Sequence, residues 1–353
     1  MEYAIAQDSD ATRWDEYVSH QAQASPYHLF AWKQAIESSY HQRGHYLMAL
    51  DEQDRITGIL PVILIRPPLG NATLCSLPYC DRGAALADSP DIVEQLISKA
   101  EELRHKLRAN RYEYRSTKSA TYDPEQQKTS TAPKKVRMLL DLPETSDELL
   151  AGFKAKLRSQ IKKAEKNGLT FEIGNNESLV SAFYEVFTVN MRDLGSPTHS
   201  KKWFENISRY YADNCIISIV RYGDTAVGAG LILINGTTAT IPWASTLRKY
   251  NKLAPNMMLY WSLLAYATDN GCQQFDFGRS SIGEGTYKFK LQWGTRPVEL
   301  DWKTYPETLP KVEKEDKPHQ HISLRHTAEN VWRKLPISIT ILLGSRIRKY
   351  ITL

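Results

Sequence analysis

The stretch FDFGRSSIGEGTYKFKLQWG, residues 275 to 294, sets Asp276, Arg279, Lys288 and Lys290 among glycines and aromatics. Glycine-rich backbone beside cations can cradle a phosphate or hold an oxyanion through exposed N–H groups. A nearby carboxylate and the phenol of Tyr287 can orient substrates or move protons. A strict Walker loop is excluded, because no G-K-[ST] closes the glycines. A kinase DFG is a poor match: no glycine-rich loop with its lysine strand precedes it, and no H-R-D lies upstream. The structural alternative is a strand, a loop and an edge strand, with Tyr287, Phe289 and Leu291 alternating in and out.

Such a segment needs a scaffold, and the chain writes that scaffold twice. Residues 25–40, SPYHLFAWKQAIESSY, and 196–211, SPTHSKKWFENISRYY, share S-P-x-H-x-x-x-W-x-x-x-I-x-x-x-Y. Trp32, Ile36 and Tyr40, answered by Trp203, Ile207 and Tyr211, fall four apart on one helical face. The Ser-Pro start suits a helix entry, with His28 and His199 in the first turn. Downstream, 47–65 and 216–234 both read strand, polar turn, strand, and Gly58 aligns with Gly228. A helical run and a strand follow in each, so YEYRS at 112 answers FDFGRS at 275. Several matched elements in one order imply two tandem copies of an α/β unit. Each is a mixed sheet flanked by helices.

In the second copy VRMLLDL predicts a strand, and Pro255 to about Asn270 a buried, almost wholly apolar helix that Gly271 stops. Only the second copy carries the segment after FDFGRS; the first runs into the polar linker 117–135. The expected domains are 1–135, a degenerate copy; 136–305, the candidate catalytic copy; and 306–353, a linker with an amphipathic tail.

Composition narrows the class. Over 353 residues, 42% hydrophobic and 24% charged content suit a folded protein of two domains. A net charge of +5 is too mild for nucleic-acid binding by the whole chain, so any basic function is local. Cys75, Cys80, Cys215 and Cys272 form no C-x-x-C pair and read as buried thiols, with no metal site expected. MEYAIAQDSD lacks the basic and apolar regions of a signal peptide, and no apolar run reaches the ~20 residues that span a bilayer. A cytoplasmic protein is expected.

Two basic segments stand out. In FKAKLRSQIKKAEKNGL, Phe153, Leu157, Ile161 and Ala164 form an apolar face, while Lys154, Lys156, Arg158, Lys162, Lys163 and Lys166 fill the rest. The helix at 153–168 is either a solvated surface or a dock for a polyanion such as RNA or a phosphorylated carrier. The tail VWRKLPISITILLGSRIRKYI either packs back on the first domain or meets anionic membrane.

Taken together, FKAKLRSQIKKAEKNGLTFEI, NMRDLG, VGAGLILINGTTATIPWAS and GTYKFKLQWG resemble the Fem family of peptidoglycan bridge-forming aminoacyltransferases. The tail is similar to the FemAB-related subgroup that accompanies PEP-CTERM and exosortase systems in exopolysaccharide producers. The resemblance implies two tandem GNAT-like acyltransferase folds and amide formation between a substrate amine and an activated carbonyl. The implied acceptor is a peptidoglycan precursor or exopolysaccharide, reached with possible peripheral contact at the inner membrane. The implied donor is aminoacyl-tRNA, with no tightly bound cofactor. Lys290 matches the family's F-K-x-x-F/W lysine, and Asp276, Arg279 and Tyr287 stand around it. Lys33, beside Trp32, and Arg192 in NMRDLG are the nearest matches to the family's phosphate-gripping cations; Arg248, taken from its position ahead of the buried helix, and Lys288 complete the expected substrate-binding set. Two departures qualify the donor. A helical-hairpin insertion that meets tRNA in several relatives has no room here, leaving 153–168 as its substitute. The R/Q-x-x-G-x-G/A loop of acyl-CoA enzymes is replaced by RKYNKLAP, without either glycine. An acyl-CoA-dependent N-acyltransferase and a non-catalytic glycan- or peptide-binding protein are the alternatives.

Overall fold

The computed structural model describes residues 1–121, 135–306 and 327–353; most of linker 117–135 and all of the hydrophilic stretch 310–321 fall outside them. The chain forms two compact units: Met1–Thr117 with Leu300–Val331 and Ser345–Leu353, and Lys118–Glu299 with Trp332–Gly344.

The first unit holds β1 (Glu2–Ile5), α1 (Ala11–Ser19), α2 (Phe30–Tyr40), β2 (Leu47–Leu50), β3 (Ile56–Leu60), β4 (Ile63–Ile65), β5 (Thr73–Cys75), β6 (Leu86–Ala87), α3 (Pro90–Lys106) and the start of β7 (Arg111–Thr121). Strands β1-β2-β3-β6 pair antiparallel. β5 pairs antiparallel with β4 and parallel with β7, the latter over Thr73–Cys75 against Arg111–Glu113. The loop after β5 then wraps round Arg115, which is 1% exposed. Its guanidinium donates to the carbonyls of Leu77, Cys80 and Thr352, at 3.1, 2.6 and 3.1 Å. The tail's last residues thus belong to this unit, where the Lys349 carbonyl also accepts from Gln42 and Tyr79.

The second unit holds β8 (Lys135–Asp141), α4 (Ser146–Gly152), α5 (Ala155–Lys166), β9 (Leu169–Gly174), α6 (Glu177–Leu194), α7 (Lys201–Tyr211), β10 (Cys215–Tyr222), β11 (Thr225–Asn235), β12 (Thr238–Thr246), α8 (Pro255–Asp269), β13 (Gln274–Ser281), α9 (Gly285–Leu291) and the start of β14 (Arg296–Tyr305). Its sheet runs β14-β8-β13-β12-β11-β10-β9. All neighbours are antiparallel except β12 and β13, which pair in parallel. α4, α5 and α8 cover one face through Leu149, Leu157, Ile161, Leu259, Leu263 and Phe275. α10 (described over 327–334) precedes α11 (Ile337–Ile347), which docks on this unit where Gly344 meets Thr198.

The repeat is structural. Trp32, Ile36 and Tyr40 are buried on α2, as are Trp203, Ile207 and Tyr211 on α7. His28 and His199 lie just ahead of the helices, in the turns that start them. Each hairpin also places a glycine under its long helix. A Cβ on Gly58 would sit 2.6 Å from Ile92 of α3, and one on Gly230 would sit 2.8 Å from Leu263 of α8. The glycine under the helix in the second copy is therefore Gly230, two residues beyond the aligned Gly228, because helix approach and not sequence offset selects it. Overpacking of this kind costs about 1–3 kcal/mol. Gly58→Val and Gly230→Val should each lower unfolding free energy by that amount in urea titrations, while Gly152→Ala, which meets nothing within 4 Å, should lower neither.

Candidate active site

β12 and β13 pair over Thr238–Thr240 against Gln274–Asp276, and the pairing stops there although both strands continue. On its other side β13 then carries a bulge. It advances from Asp276 to Arg279 while its partner β8 steps only from Leu139 to Arg137. Gly278 supplies the turn with φ +70°, a conformation that a side chain resists. Asp276 clamps the bulge from within. Its Oδ1 accepts from the Gly278 N–H at 2.9 Å, and its Oδ2 accepts from Arg137 at 3.0 and 2.6 Å. Both side chains of this ion pair are at most 6% exposed.

The segment after β13 is helical. YKFKL lies in α9, not in an edge strand. Alternation at i, i+2 and i+4 favours a strand, but Phe289 and Trp293, four apart, share a helical face and make the deciding contacts. Their rings pack on Tyr260 of α8, with centroids 5.0 and 6.1 Å away, and Trp293 is fully buried. Phe277 stacks on the same Tyr260 at 5.4 Å. Burial pushes the Tyr260 phenol well above its ordinary range, so it stays protonated. With α9 seated this way, Lys290 turns toward the bulge. It is 8% exposed, and its Nζ donates to the carbonyls of Gly278 at 3.2 Å and Arg279 at 2.9 Å.

The remaining sequence candidates distribute as follows. Arg279 is exposed on the bulge, Tyr287 is half-buried against the core, and Lys288 is exposed on α9. Arg192 ends α6 with its guanidinium on Asp193 at 2.8 Å. Arg248 is exposed at the start of a 3₁₀ turn, Arg248–Leu253, that leads into α8. Trp32 and Lys33 belong to the first unit. Trp32 is wholly buried, donating to the Pro78 carbonyl. Lys33 is 5% exposed and pairs with Asp8 at 2.8 Å and Glu37 at 3.0 Å. Sequence reasoning missed Arg137. The signal was a lone arginine inside the apolar strand VRMLLDL, at the parity that faces the acid of FDF.

The RKYNKLAP segment keeps its backbone to itself. Tyr250 N donates to Leu247 O, Ala254 N to Asn251 O, and Met257 N to Ala254 O, all at 2.9–3.0 Å. Pro255 opens α8 without an N–H. A pyrophosphate bound by outward N–H groups would find these donors occupied. On α5, Arg158, Lys162, Lys163 and Lys166 border an open depression of about 470 Å³. Arg158 also caps α4 through the carbonyls of Ala151 and Phe153, both at 2.8 Å.

Residues 151–291 match a family model described as an acetyltransferase (GNAT) domain. No curated protein matches the chain. Among solved structures it is similar to FemX at 14% identity, covering 86% of this chain and 97% of that one, with a TM-score of 0.66. A tandem GNAT protein from the clavulanic acid biosynthesis pathway is 12% identical over 86% of this chain and 97% of its own, TM-score 0.51. L-PGS from Bacillus licheniformis is 10% identical over 92% and 98%, TM-score 0.51. At these identities the structures show the fold: mixed α/β, of the tandem GNAT type. The domain match and these structures support a GNAT-type fold, with the matched residues 151–291 in the second unit.

Removing one partner of a buried ion pair leaves the other charge stranded, at a cost of about 3–5 kcal/mol. Arg137→Met and Asp276→Leu should each destabilise by that order in urea unfolding. The double variant should recover most of the loss if the pair acts as a clamp, and additive losses would contradict it.

Proposed function

We propose that this protein is an acyltransferase that joins an activated acyl or aminoacyl group to an amine of a cell-envelope acceptor, with the chemistry in the second unit. The observation that carries the reading is Lys290. Its ammonium is almost buried, aimed at a bulge rather than at solvent, and lies within the segment that matches the GNAT domain. In such a reaction the acceptor nitrogen attacks the donor carbonyl carbon, and the carbonyl oxygen takes up negative charge. The donor's hydroxyl or thiol then leaves as the new C–N bond closes and the nitrogen loses a proton. A preorganised cation in a partly dehydrated site stabilises that oxyanion, or a neighbouring donor phosphate, more than water does. Asp276 holds the bulge, Arg279 and Lys288 offer exposed charge to an anionic substrate, and Tyr287 stands nearby to orient or exchange protons. Arg192 and Arg248 are proposed to bind substrate, whereas Trp32 and Lys33 are buried in the first unit on Pro78 and on Asp8 with Glu37.

The first unit supports a non-catalytic role for itself. Arg115 answers Arg279 in the repeat, yet it is spent inside the fold on three carbonyls and Glu113. For the donor, the inward-bonded RKYNKLAP turn favours an aminoacyl-tRNA ester over acyl-CoA. The cationic depression on α5 supplies a dock for its phosphates. The acceptor as peptidoglycan precursor or exopolysaccharide, and the tie to PEP-CTERM systems, rest on the family resemblance.

Lys290→Ala should lower amide formation about 10²–10³-fold with unchanged unfolding, measured with aminoacyl-tRNA and an amine acceptor. Full activity of that variant would remove Lys290 from the chemistry, and no amide formation by the unaltered protein would leave a binding protein instead. Lys162→Glu with Lys163→Glu should weaken tRNA binding and flatten its salt dependence in filter binding. Saturable acetyl-CoA binding by calorimetry would move the donor to a thioester.

A further inference from the structure

Helix α11 is apolar on two faces. Thr340 and Gly344 form the face it buries, with Gly344 tight against Thr198. A second, outward face is also apolar: Ile339 is 40% exposed, Leu342 52%, Leu343 39% and Ile347 45%. At 100° per residue these four fall on one outward arc, and exposed Arg346 stands among them. A helix that only closes a fold places polar residues there. A contiguous exposed apolar stripe marks an interaction surface.

Charge identifies the partner. From Val331 to Leu353 the chain has five cations, Arg333, Lys334, Arg346, Arg348 and Lys349, and no acidic residue. The cations divide by use. Arg333 reaches the Leu194 carbonyl at 3.4 Å and Arg348 the Ile351 carbonyl at 2.7 Å, whereas Lys334, ahead of α11, and Arg346, within the stripe, are exposed. Apolar side chains flanked by cations match the boundary of an anionic bilayer, where acyl chains meet negative headgroups. Among the described residues no helix is long and apolar enough to cross a membrane, so contact of this kind lies in the surface plane. We infer that the outward face of α11 docks this protein on an anionic lipid surface, with Ile339, Leu342, Leu343 and Ile347 in the acyl boundary and Lys334 and Arg346 among the headgroups. The inference holds whether or not Lys290 carries chemistry.

The test is flotation of the full chain with vesicles of phosphatidylcholine alone and of phosphatidylcholine mixed with phosphatidylglycerol. The protein should float with the mixed vesicles and stay behind with the neutral ones. Leu342→Glu with Leu343→Glu should lower partition about tenfold or more at an unchanged unfolding midpoint. Lys334→Gln with Arg346→Gln should weaken it several-fold, and added salt should do the same. Equal flotation on both vesicle types, or none on either, would overturn the proposal. So would a dimer in sedimentation equilibrium that Leu342→Glu dissolves, because the stripe would then belong to a second copy of the chain.

Discussion

A cation held out of water must be given oxygens, and the second unit supplies them by breaking its own strand. β13 cannot run straight past Asp276, because Gly278 takes a left-handed turn and the register against β8 slips by one residue. That slip turns two carbonyls toward Lys290. The buried Asp276–Arg137 pair fixes the slip from behind. The aromatic seat of Phe289 and Trp293 on Tyr260 fixes the helix that carries the lysine. Position of the ammonium thus depends on three separate contacts, each made by a different element of one sheet-and-helix layer.

Duplication gives the same local geometry two different uses. Both units contain a parallel pairing of three residues, Thr73–Cys75 with Arg111–Glu113 and Thr238–Thr240 with Gln274–Asp276. In the first unit the space beyond it is taken by Arg115, which is 1% exposed, and by the chain's own carbonyls. In the second, the matched arginine is exposed and a lysine comes in from α9. A buried guanidinium that satisfies carbonyls stabilises a fold.

Cationic side chains here serve distinct purposes, and their neighbours separate them. Arg158 caps a helix, Arg192 pairs with the adjacent acid, and Lys33, itself nearly buried, pairs with exposed Asp8 and with Glu37. Lys162, Lys163 and Lys166 instead border an open depression, and Arg346 stands among exposed apolar residues. Both of these last settings leave charge facing outward. A net charge of +5 over the whole chain conceals that division.

The sequence alone determined what depends on short-range pattern. Trp-Ile-Tyr spacing set the buried faces of α2 and α7, the apolar run to Asp269 set α8, and the matched order of elements set the tandem fold. It also picked out Lys290, Asp276 and Arg279, which the structure brings round one bulge. Tertiary structure decided whatever depends on register and on distant partners. Arg137 pairs with a residue 139 positions away, and nothing local announces which strand will lie beside it. YKFKL became a helix because Tyr260 offered a surface to Phe289 and Trp293, although the alternation of Tyr287, Phe289 and Leu291 by itself favours a strand. The glycine under α8 is Gly230 and not Gly228, since the approach of a helix, which no residue spacing encodes, selects it.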